Sequence, residues 1–406
     1  MSSKNDFITI KRNEKQDIHP IKLENDEEYF SALTNLQLSL TGRLDVMFAN
    51  TFINEIIQLI TNAIVLFEEG YFDAAFYSLR ESLELSTTTI FFVDDTEENR
   101  KEAIRNWKSE GKFPGHKQMI DELKARTGVF SDIREKMSSY FQDIERVKKR
   151  IDKYVHKQGF DKFYVVRNNF VKRKNYPEEN LIKDFETFLI KSIGAAAVFR
   201  LAIDPLPVLL LDDDIYNRTG QFLTEGYGNN FINKYIGEKY IEEYKKTDIY
   251  IGHYDAFINN EEMLPSVVDL VKDEYINTDK IEEILSQKHL LSINDLVAVT
   301  LVAHTSKIIK VYCIGGLSWY FTNLKSNRKN TSWSSSDFTP EKVKENTSYD
   351  EVFLTHFKVL DEDYYVEHNK EFNQDELKKL KHEVRKLDEE LTKLNEELEK
   401  LLPKES

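Results

Sequence analysis

Apolar residues recur along most of this chain at spacings of three and four, which is typical of amphipathic helices. From about Leu36 the pattern is helical, and the stretch DVMFANTFINEIIQLITNAIVLFEEG predicts a long helix that ends at Gly70. A second helix covers FDAAFYSLRESLELSTTTIFFV, with Asp73 as its candidate cap. Because only a short turn joins the two helices, we expect them to pack antiparallel.

Two further helices complete a predicted four-helix unit over about residues 40–205. The third covers roughly residues 131–158 and ends at Gly159. Its apolar stripe consists of Tyr140, Ile144, Val147, Ile151, Tyr154 and Val155. The fourth covers residues 178–204 and is stopped by Pro205 and Pro207.

The rest of the chain divides into an arm, a second domain and a tail. Residues 1–35 are predicted to be an N-terminal arm in which FITIKR alternates like a short strand. The helical bundle takes residues 36–205. Residues 206–370 predict a second, mostly helical domain, with helical patterns at 238–258, 264–276, 279–287 and 293–312 and a polar loop at 324–340. Residues 371–406 form the tail, and the whole chain is expected to be mainly α.

The tail carries a heptad pattern of apolar residues, which predicts a coiled-coil helix. Its seam consists of Leu377, Leu380, Val384, Leu387, Leu391, Leu394, Leu398 and Leu401. Such a seam must pack on something. A second copy of the chain covers the seam if the protein forms a homodimer through residues 377–401. The alternative is that the seam docks on the protein's own body or on another protein.

Composition excludes several classes of protein. A single cysteine, Cys313, rules out an intrachain disulfide and a cysteine-based zinc cluster. The three adjacent carboxylates Asp212, Asp213 and Asp214 cannot all face one ion, so no metal site is expected. The sequence contains no phosphate loop and no dinucleotide fingerprint, so no cofactor is expected either. The N-terminus lacks the apolar core of a signal peptide, and charges or prolines interrupt the apolar stretches 189–211 and 296–321. We therefore expect a cytoplasmic protein without a membrane partner.

Charge concentrates in one place. The chain has a formal net charge of −15, yet residues 146–174 hold eleven Lys and Arg against two acids. The candidate nucleic-acid-binding residues in this basic segment are Arg146, Lys149, Lys153, Lys157, Lys162, Arg167, Lys172, Arg173 and Lys174. They alternate with Phe160, Phe163, Tyr164 and Phe170, and single-stranded RNA is commonly held by such a mixture of cations and stacking rings. The alternative is a solvated basic surface that pairs with the acidic remainder of the chain.

Arg150 and His156 lie inside the basic segment with the spacing R-x5-H. On a helix Arg150 flanks the apolar stripe, and His156 points about 120° away from it. Histidine ordinarily titrates near neutral pH, as general acid–base chemistry requires. The alternative interpretation is that His156 and its neighbouring lysines simply favour the negative end of a helix dipole.

The texts YFDAAFYSLRESLE and, about seventy residues later, RIDKYVHKQG resemble the HEPN superfamily over about residues 40–200. The resemblance implies an up-down helical bundle with an R-x4-6-H motif late in the bundle. Many members are metal-independent ribonucleases of bacterial antiphage defence or toxin systems, and they usually dimerise to join two motifs in one cleft.

On this resemblance Arg150 holds the scissile phosphate, and His156 is the general acid–base for attack by a ribose 2′-hydroxyl. Arg80 and Glu84 on the second helix are the candidate supporting residues, although at i,i+4 spacing they also fit an internal ion pair. The implied function is an RNA-cleaving defence or toxin effector that acts as a homodimer. The alternative is a non-catalytic nucleic-acid-binding sensor or scaffold that oligomerises through its coiled coil.

Overall fold

The computed structural model describes residues 4–13, 20–109, 114–163, 178–220, 223–313, 320–325 and 338–401. The chain divides into two compact units. Unit 1 comprises Met1–Tyr216 and Phe222–Asn260, and unit 2 comprises Asn217–Gln221 and Glu261–Ser406. Helices dominate both units, as the mainly α prediction requires, and unit 2 also contains a four-stranded sheet.

The regular secondary structure in the described residues of unit 1 consists of helices. Its longer helices are α1 (Lys4–Asn13), α2 (Asp26–Leu38), α3 (Phe48–Glu68), α4 (Phe72–Val93), α5 (Glu97–Lys108), α6 (His116–Ala125), α7 (Val129–Lys136), α8 (Ser138–Val155) and α9 (Glu178–Leu201). Shorter helices follow: α10 (Leu206–Leu209), α11 (Asp213–Arg218), α12 (Asn229–Phe231), a π-helical segment Ile232–Ile236, α13 (Glu238–Tyr244) and α14 (Asp248–Ile258).

Helices α3 and α4 pack against each other, and the turn between them follows from Gly70. Gly70 has a φ of +85°, its N–H donates to Phe67 O, and the next N–H, of Tyr71, donates to Leu66 O. These two bonds are the Schellman motif, which a glycine in the left-handed region completes at least cost. The predicted helix end is therefore confirmed. The N-cap of α4 is Tyr71, and Asp73 lies in the first turn of the helix, so the prediction of Asp73 as the cap is wrong.

The sequence pattern did not single out α3 as apolar enough for a membrane. Among the described residues it is the one helix with the length and hydropathy of a span. Its buried residues, among them Ile56, Ile60 and Phe67, belong to the core of unit 1. A core helix passes the same test of length and composition.

Two arginines satisfy the carbonyl groups at the C-terminal end of α4. Arg100, which is buried, donates to Phe92 O and Val93 O at 3.3 and 3.1 Å. Arg126 donates to Phe91 O and Asp94 O at 2.8 and 2.9 Å. Because the last carbonyls of a helix lack partners within the helix, these contacts fix α5 and the segment after α6 against α4.

The domain boundary predicted at residue 205 differs from the structural division, because residues 222–260 complete the core around α9. Tyr227 Oη donates to Ala197 O at 3.2 Å, and Tyr244 Oη donates to Leu201 O at 2.8 Å. The buried Arg200–Asp204 ion pair closes the same end of α9. The helix predicted at 238–258 is interrupted at Thr247, whose side chain accepts from Tyr250 N at the start of α14.

Other expectations for the bundle need smaller corrections. The N-terminal segment FITIKR lies in α1, so the strand prediction is wrong: alternation alone gives a strand no neighbour to pair with. The helix predicted at 131–158 is divided into α7 and α8 at Met137. The fourth helix ends at Leu201, three residues before the predicted end.

Unit 2 contains a four-stranded sheet, and the first strand of this sheet lies in the second half of the apolar run predicted as a helix at 293–312. Its helices are α15 (Pro265–Asp273), α16 (Ile281–Ser286), α17 (Ile293–His304), α18 (Pro340–Lys344) and α19 (Gln374–Leu401), and its strands are β1 (Ile308–Tyr312), β2 (Tyr320–Thr322), β3 (Phe353–Val359) and β4 (Glu362–His368). The antiparallel order is β2-β1-β4-β3. The helix predicted at 293–312 is therefore wrong beyond His304. Most of the predicted loop at 324–340 lies outside the described residues.

The heptad helix α19 packs on its own unit. Leu380, Val384 and Leu391 are buried in a core shared with α17 and the sheet. The first half of the predicted seam is therefore covered within the chain. The side chains from Leu394 onward lie outside the described set.

Candidate functional site

The candidate site is built on α8, the helix that carries most of the described basic segment. Its buried residues, Tyr140, Phe141, Ile144, Val147, Ile151, Tyr154 and Val155, form the predicted apolar stripe with Phe141 added. They pack against α4 and α9. This packing leaves the opposite side of α8 to solvent.

That outward side carries three cations and a histidine, all exposed, which we call the α8 basic face: Arg146, Lys149, Lys153 and His156. Spacings of three and four residues place these side chains on one face over about 15 Å of helix rise. Arg146 also pairs with Asp143 at 2.8 Å, so part of its charge is compensated. The α8 basic face is thus the part of the predicted basic segment that the structure exposes on a helix.

Arg150 lies on the α9 flank of this face and already has a carboxylate partner. Its Nη2 donates to Asp184 Oδ1 at 2.6 Å, and its guanidinium lies 4.9 Å from the ring centroid of Phe188. Tyr154 Oη donates to the other oxygen, Asp184 Oδ2, at 2.5 Å. The Arg150 side chain is 49% exposed, so a phosphate can reach the guanidinium only beside Asp184 or in exchange for it.

His156 occupies the C-terminal end of α8. The end is a Schellman motif: Gln158 N donates to Lys153 O at 2.9 Å and Lys157 N to Tyr154 O at 3.4 Å. Lys157 has a φ of +52° there, so the left-handed residue that terminates the helix comes two positions before the predicted one, Gly159. The motif fixes the backbone that carries the exposed imidazole of His156.

Within one chain the structure does not bring Arg150 and His156 together. Six helical residues separate them by about 9 Å of rise and about 120° of rotation. Arg150 faces α9, whereas His156 is one turn beyond Asp152, on the α4 flank. Across the described part of the chain no hydrogen bond or ion pair joins the two side chains.

Arg80 and Glu84 do meet α8. Arg80 Nε donates to Asp152 Oδ1 at 2.8 Å, and Arg80 Nη2 lies 2.8 Å from Glu84 Oε1. The ion pair suggested by their spacing is thus present, and Asp152 extends it to α8. Lys148 Nζ adds a fourth charge, 3.3 Å from Glu84 Oε1.

Sequence reasoning missed His116, which joins this network from α6. Its Nδ1 accepts from Lys148 Nζ at 2.9 Å, and its Nε2–H then faces Thr87 Oγ1 at 3.2 Å. Burial, and after it the charge of Lys148, lowers the pKa of His116 below its usual value. The only sequence signal was the position of Lys148 beside the apolar stripe, where a charge needs a partner.

The remaining predicted binding residues are held less openly or lie outside the described set. Lys157 is paired with Asp73 on α4, and Lys162 Nζ lies 4.8 Å from the ring centroid of Tyr154. Arg167, Lys172, Arg173 and Lys174 lie outside the described residues. The described part of the chain holds no group of three His, Cys, Asp or Glu arranged for a metal ion.

Comparison with known proteins gives no further guide to this site. No family model, no curated protein and no solved structure matches the chain.

Proposed function

We propose that this protein is a metal-independent endoribonuclease, an effector of bacterial antiphage defence or of a toxin system, with Arg150 and His156 in the cleaving site. The observation that carries the proposal is the α8 basic face, which exposes a histidine and three cations on a protein of net charge −15. A local positive patch attracts phosphate groups even though the whole protein is negatively charged. This arrangement favours the binding of a polyanion at the α8 basic face.

The reaction needs only a proton acceptor, a proton donor and charge neutralisation. A general base removes the proton of a ribose 2′-hydroxyl, and the oxygen attacks the adjacent phosphorus. The bond from phosphorus to the 5′-oxygen breaks, and a general acid protonates that oxygen. The products are a 2′,3′-cyclic phosphate and a 5′-hydroxyl. Imidazole can take both proton roles near neutral pH, and Arg150 neutralises the phosphate.

Two copies of the chain are part of this proposal. Arg150 and His156 of one chain lie on different flanks of α8, about 9 Å apart in helix rise, which favours a site shared between two chains. If two α8 basic faces lie side by side, Arg150 of one copy approaches His156 of the other. The homodimer in this function is therefore proposed through the bundle, and α19 is not required for it.

The test is cleavage of mixed RNA with EDTA present, for the full chain and four single variants. We expect Arg150→Ala and His156→Ala to lose about 10²- to 10⁴-fold in rate. Arg105→Ala and His289→Ala, at exposed positions on α5 and near α16, should keep wild-type rates. An equimolar mixture of Arg150→Ala and His156→Ala proteins should regain cleavage, because a mixed dimer holds one intact site.

A binding protein without catalysis is the second candidate, and the Arg150–Asp184 pair favours it. A carboxylate 2.6 Å from the guanidinium competes with a phosphate for the same donors. If the wild-type protein binds RNA but never cleaves it, this second function stands. In that case Asp184→Asn should tighten RNA binding, because it removes the competing negative charge.

A further inference from the structure

An exposed aromatic pair follows directly after the α8 basic face. Phe160 is 77% exposed and Phe163 is 38% exposed. Their ring centroids lie 5.5 Å apart with an interplanar angle of 30°. Phe160 and Lys162 bound a short 3₁₀ turn that begins after Gly159, at a φ of +101°. A phenylalanine ring left this open gains free energy from any ligand that covers it.

The segment before this turn is anchored. The Schellman motif at the end of α8 fixes the backbone of Lys157 and Gln158. The Lys157–Asp73 ion pair and the Tyr77 Oη bond to Val155 O at 2.9 Å attach the same end to α4. A ring presented from an anchored backbone loses little conformational freedom on binding.

The polar groups that flank Phe160 along the chain decide what covers its ring. Lys153 and His156 are exposed at the C-terminal end of α8, and Lys162 follows Phe160 by two residues, with its Nζ 4.8 Å from the ring centroid of Tyr154. An apolar protein segment would have to remove these groups from water without compensation. A nucleobase offers a flat ring linked to a phosphate, so one ligand satisfies both features.

We infer that Phe160 stacks on a base of single-stranded RNA whose backbone follows the α8 basic face. The identity of the polymer as RNA rests on the proposed function. Duplex RNA keeps its base faces stacked on each other, so it has no ring to offer Phe160. Phe160 is thus a specificity residue that selects unpaired strands.

The test is fluorescence anisotropy at fixed salt with a labelled 2′-O-methyl single-stranded RNA and with its duplex, because an RNA without free 2′-hydroxyls cannot be cleaved during the measurement. Phe160→Ala should weaken single-strand binding about 5- to 150-fold, the range for loss of one base–aromatic stack. Duplex binding should stay unchanged, and Phe160→Trp should keep single-strand affinity. Leu44→Ala is the matched control, since Leu44 is 88% exposed and lies outside the basic segment.

Several results would overturn the inference. Equal affinities of Phe160→Ala and wild type for the single strand, or equal losses for both RNA forms, would do so. A change of molecular mass in Phe160→Ala with unchanged RNA affinity would assign the ring to a contact between copies. Cleavage is scored separately: a stacking loss in a protein that never cleaves RNA keeps this inference and rejects the ribonuclease. If the protein cleaves RNA but Phe160→Ala does not change RNA affinity, the ribonuclease proposal stands and this inference is rejected.

Discussion

Arg80 Nε lies 2.8 Å from Asp152 Oδ1 and ties α4 to α8 one helical turn before His156. The same guanidinium contacts Glu84, and both contacts are only partly open to solvent, with the Arg80 side chain 24% exposed. Burial alone would disfavour the cation, and Asp152, Glu84 and Glu81 supply the opposing negative charge. The pKa of Arg80 is nevertheless raised, because its hydrogen bond to Asp152 and the charge of Glu84 outweigh the opposing effect of burial.

Replacing Arg80 should therefore destabilise unit 1. Arg80→Ala leaves the carboxylates of Glu84 and Asp152 without this partner, which costs about 1–3 kcal/mol. Urea unfolding followed by circular dichroism measures the change. Arg105→Ala, an exposed arginine on α5, is the control and should stay within about 0.5 kcal/mol. If both variants unfold at the same urea concentration, the Arg80 network contributes no stability.

Gly194 lies at a close approach between α9 and the π-helical segment. A Cβ at Gly194 would lie 2.0 Å from the backbone oxygen of Tyr235, and a backbone atom cannot move aside easily. Gly194→Ala should destabilise unit 1 by about 1–3 kcal/mol or more, through overpacking. The midpoint of thermal unfolding reports it.

Gly252 on α14 gives the matched control for this prediction. No heavy atom lies within 4 Å of a Cβ built there. Gly252→Ala should stabilise the protein by about 0.5–1 kcal/mol, because alanine favours a helix interior over glycine. Equal effects of the two substitutions would contradict the close approach of Tyr235 to α9.

Local patterns predicted α3 and α4 well because the periodicity and the stops of these helices are encoded in neighbouring residues. Gly70 ends α3, and the ends of α4 match the predicted segment. The sheet was missed because β1 continues the apolar run of α17 without a glycine or proline between them. The β3–β4 hairpin turns at Leu360 and Asp361, both at positive φ, where a sequence usually signals the turn with Asn-Gly or Asp-Gly.

The candidate site was predictable in its surface charge and not in its pairing. Arg146, Lys149, Lys153 and His156 follow one face by helical spacing alone, so their exposure follows from the apolar stripe. The partners of Arg150 and Lys148 depend on tertiary packing. Asp184 comes from α9 and His116 from α6, each more than thirty residues away along the chain. Helical spacing relates residues three or four positions apart, so it could not predict these pairs.

The heptad helix α19 gives a prediction that separates folding from assembly. Leu380 is 2% exposed in the core of unit 2, so Leu380→Ala should cost about 2–5 kcal/mol of unfolding free energy. Light scattering should show an unchanged molecular mass. Lys379→Ala, the exposed neighbour, should change neither quantity. A lower mass with unchanged stability would show instead that the seam joins two chains.

His116 makes the stability of the α4–α6–α8 region depend on pH. Burial and Lys148 lower its pKa in the folded state, so the unfolded chain binds the proton more readily. Stability is therefore full above the unfolded pKa of about 6.5 and falls as the pH drops below it, until folded His116 is protonated too. The charged groups near the ring are Lys148, Glu84, Arg80 and Asp152.

Hydrogen exchange of α4, α6 and α8 between pH 5 and 8, corrected for intrinsic rates, measures the slope of local stability against pH for each helix. The pKa of His368 is also lowered by burial, but this residue lies in β4 of unit 2 and does not enter these peptides. His116→Gln keeps an acceptor for Lys148 and removes the titration, so its protection should lose the slope between pH 5 and 6.5. His156→Gln, at the exposed end of α8, should keep it. Identical slopes in wild type and His116→Gln would assign the acid sensitivity to the carboxylates, which titrate at lower pH.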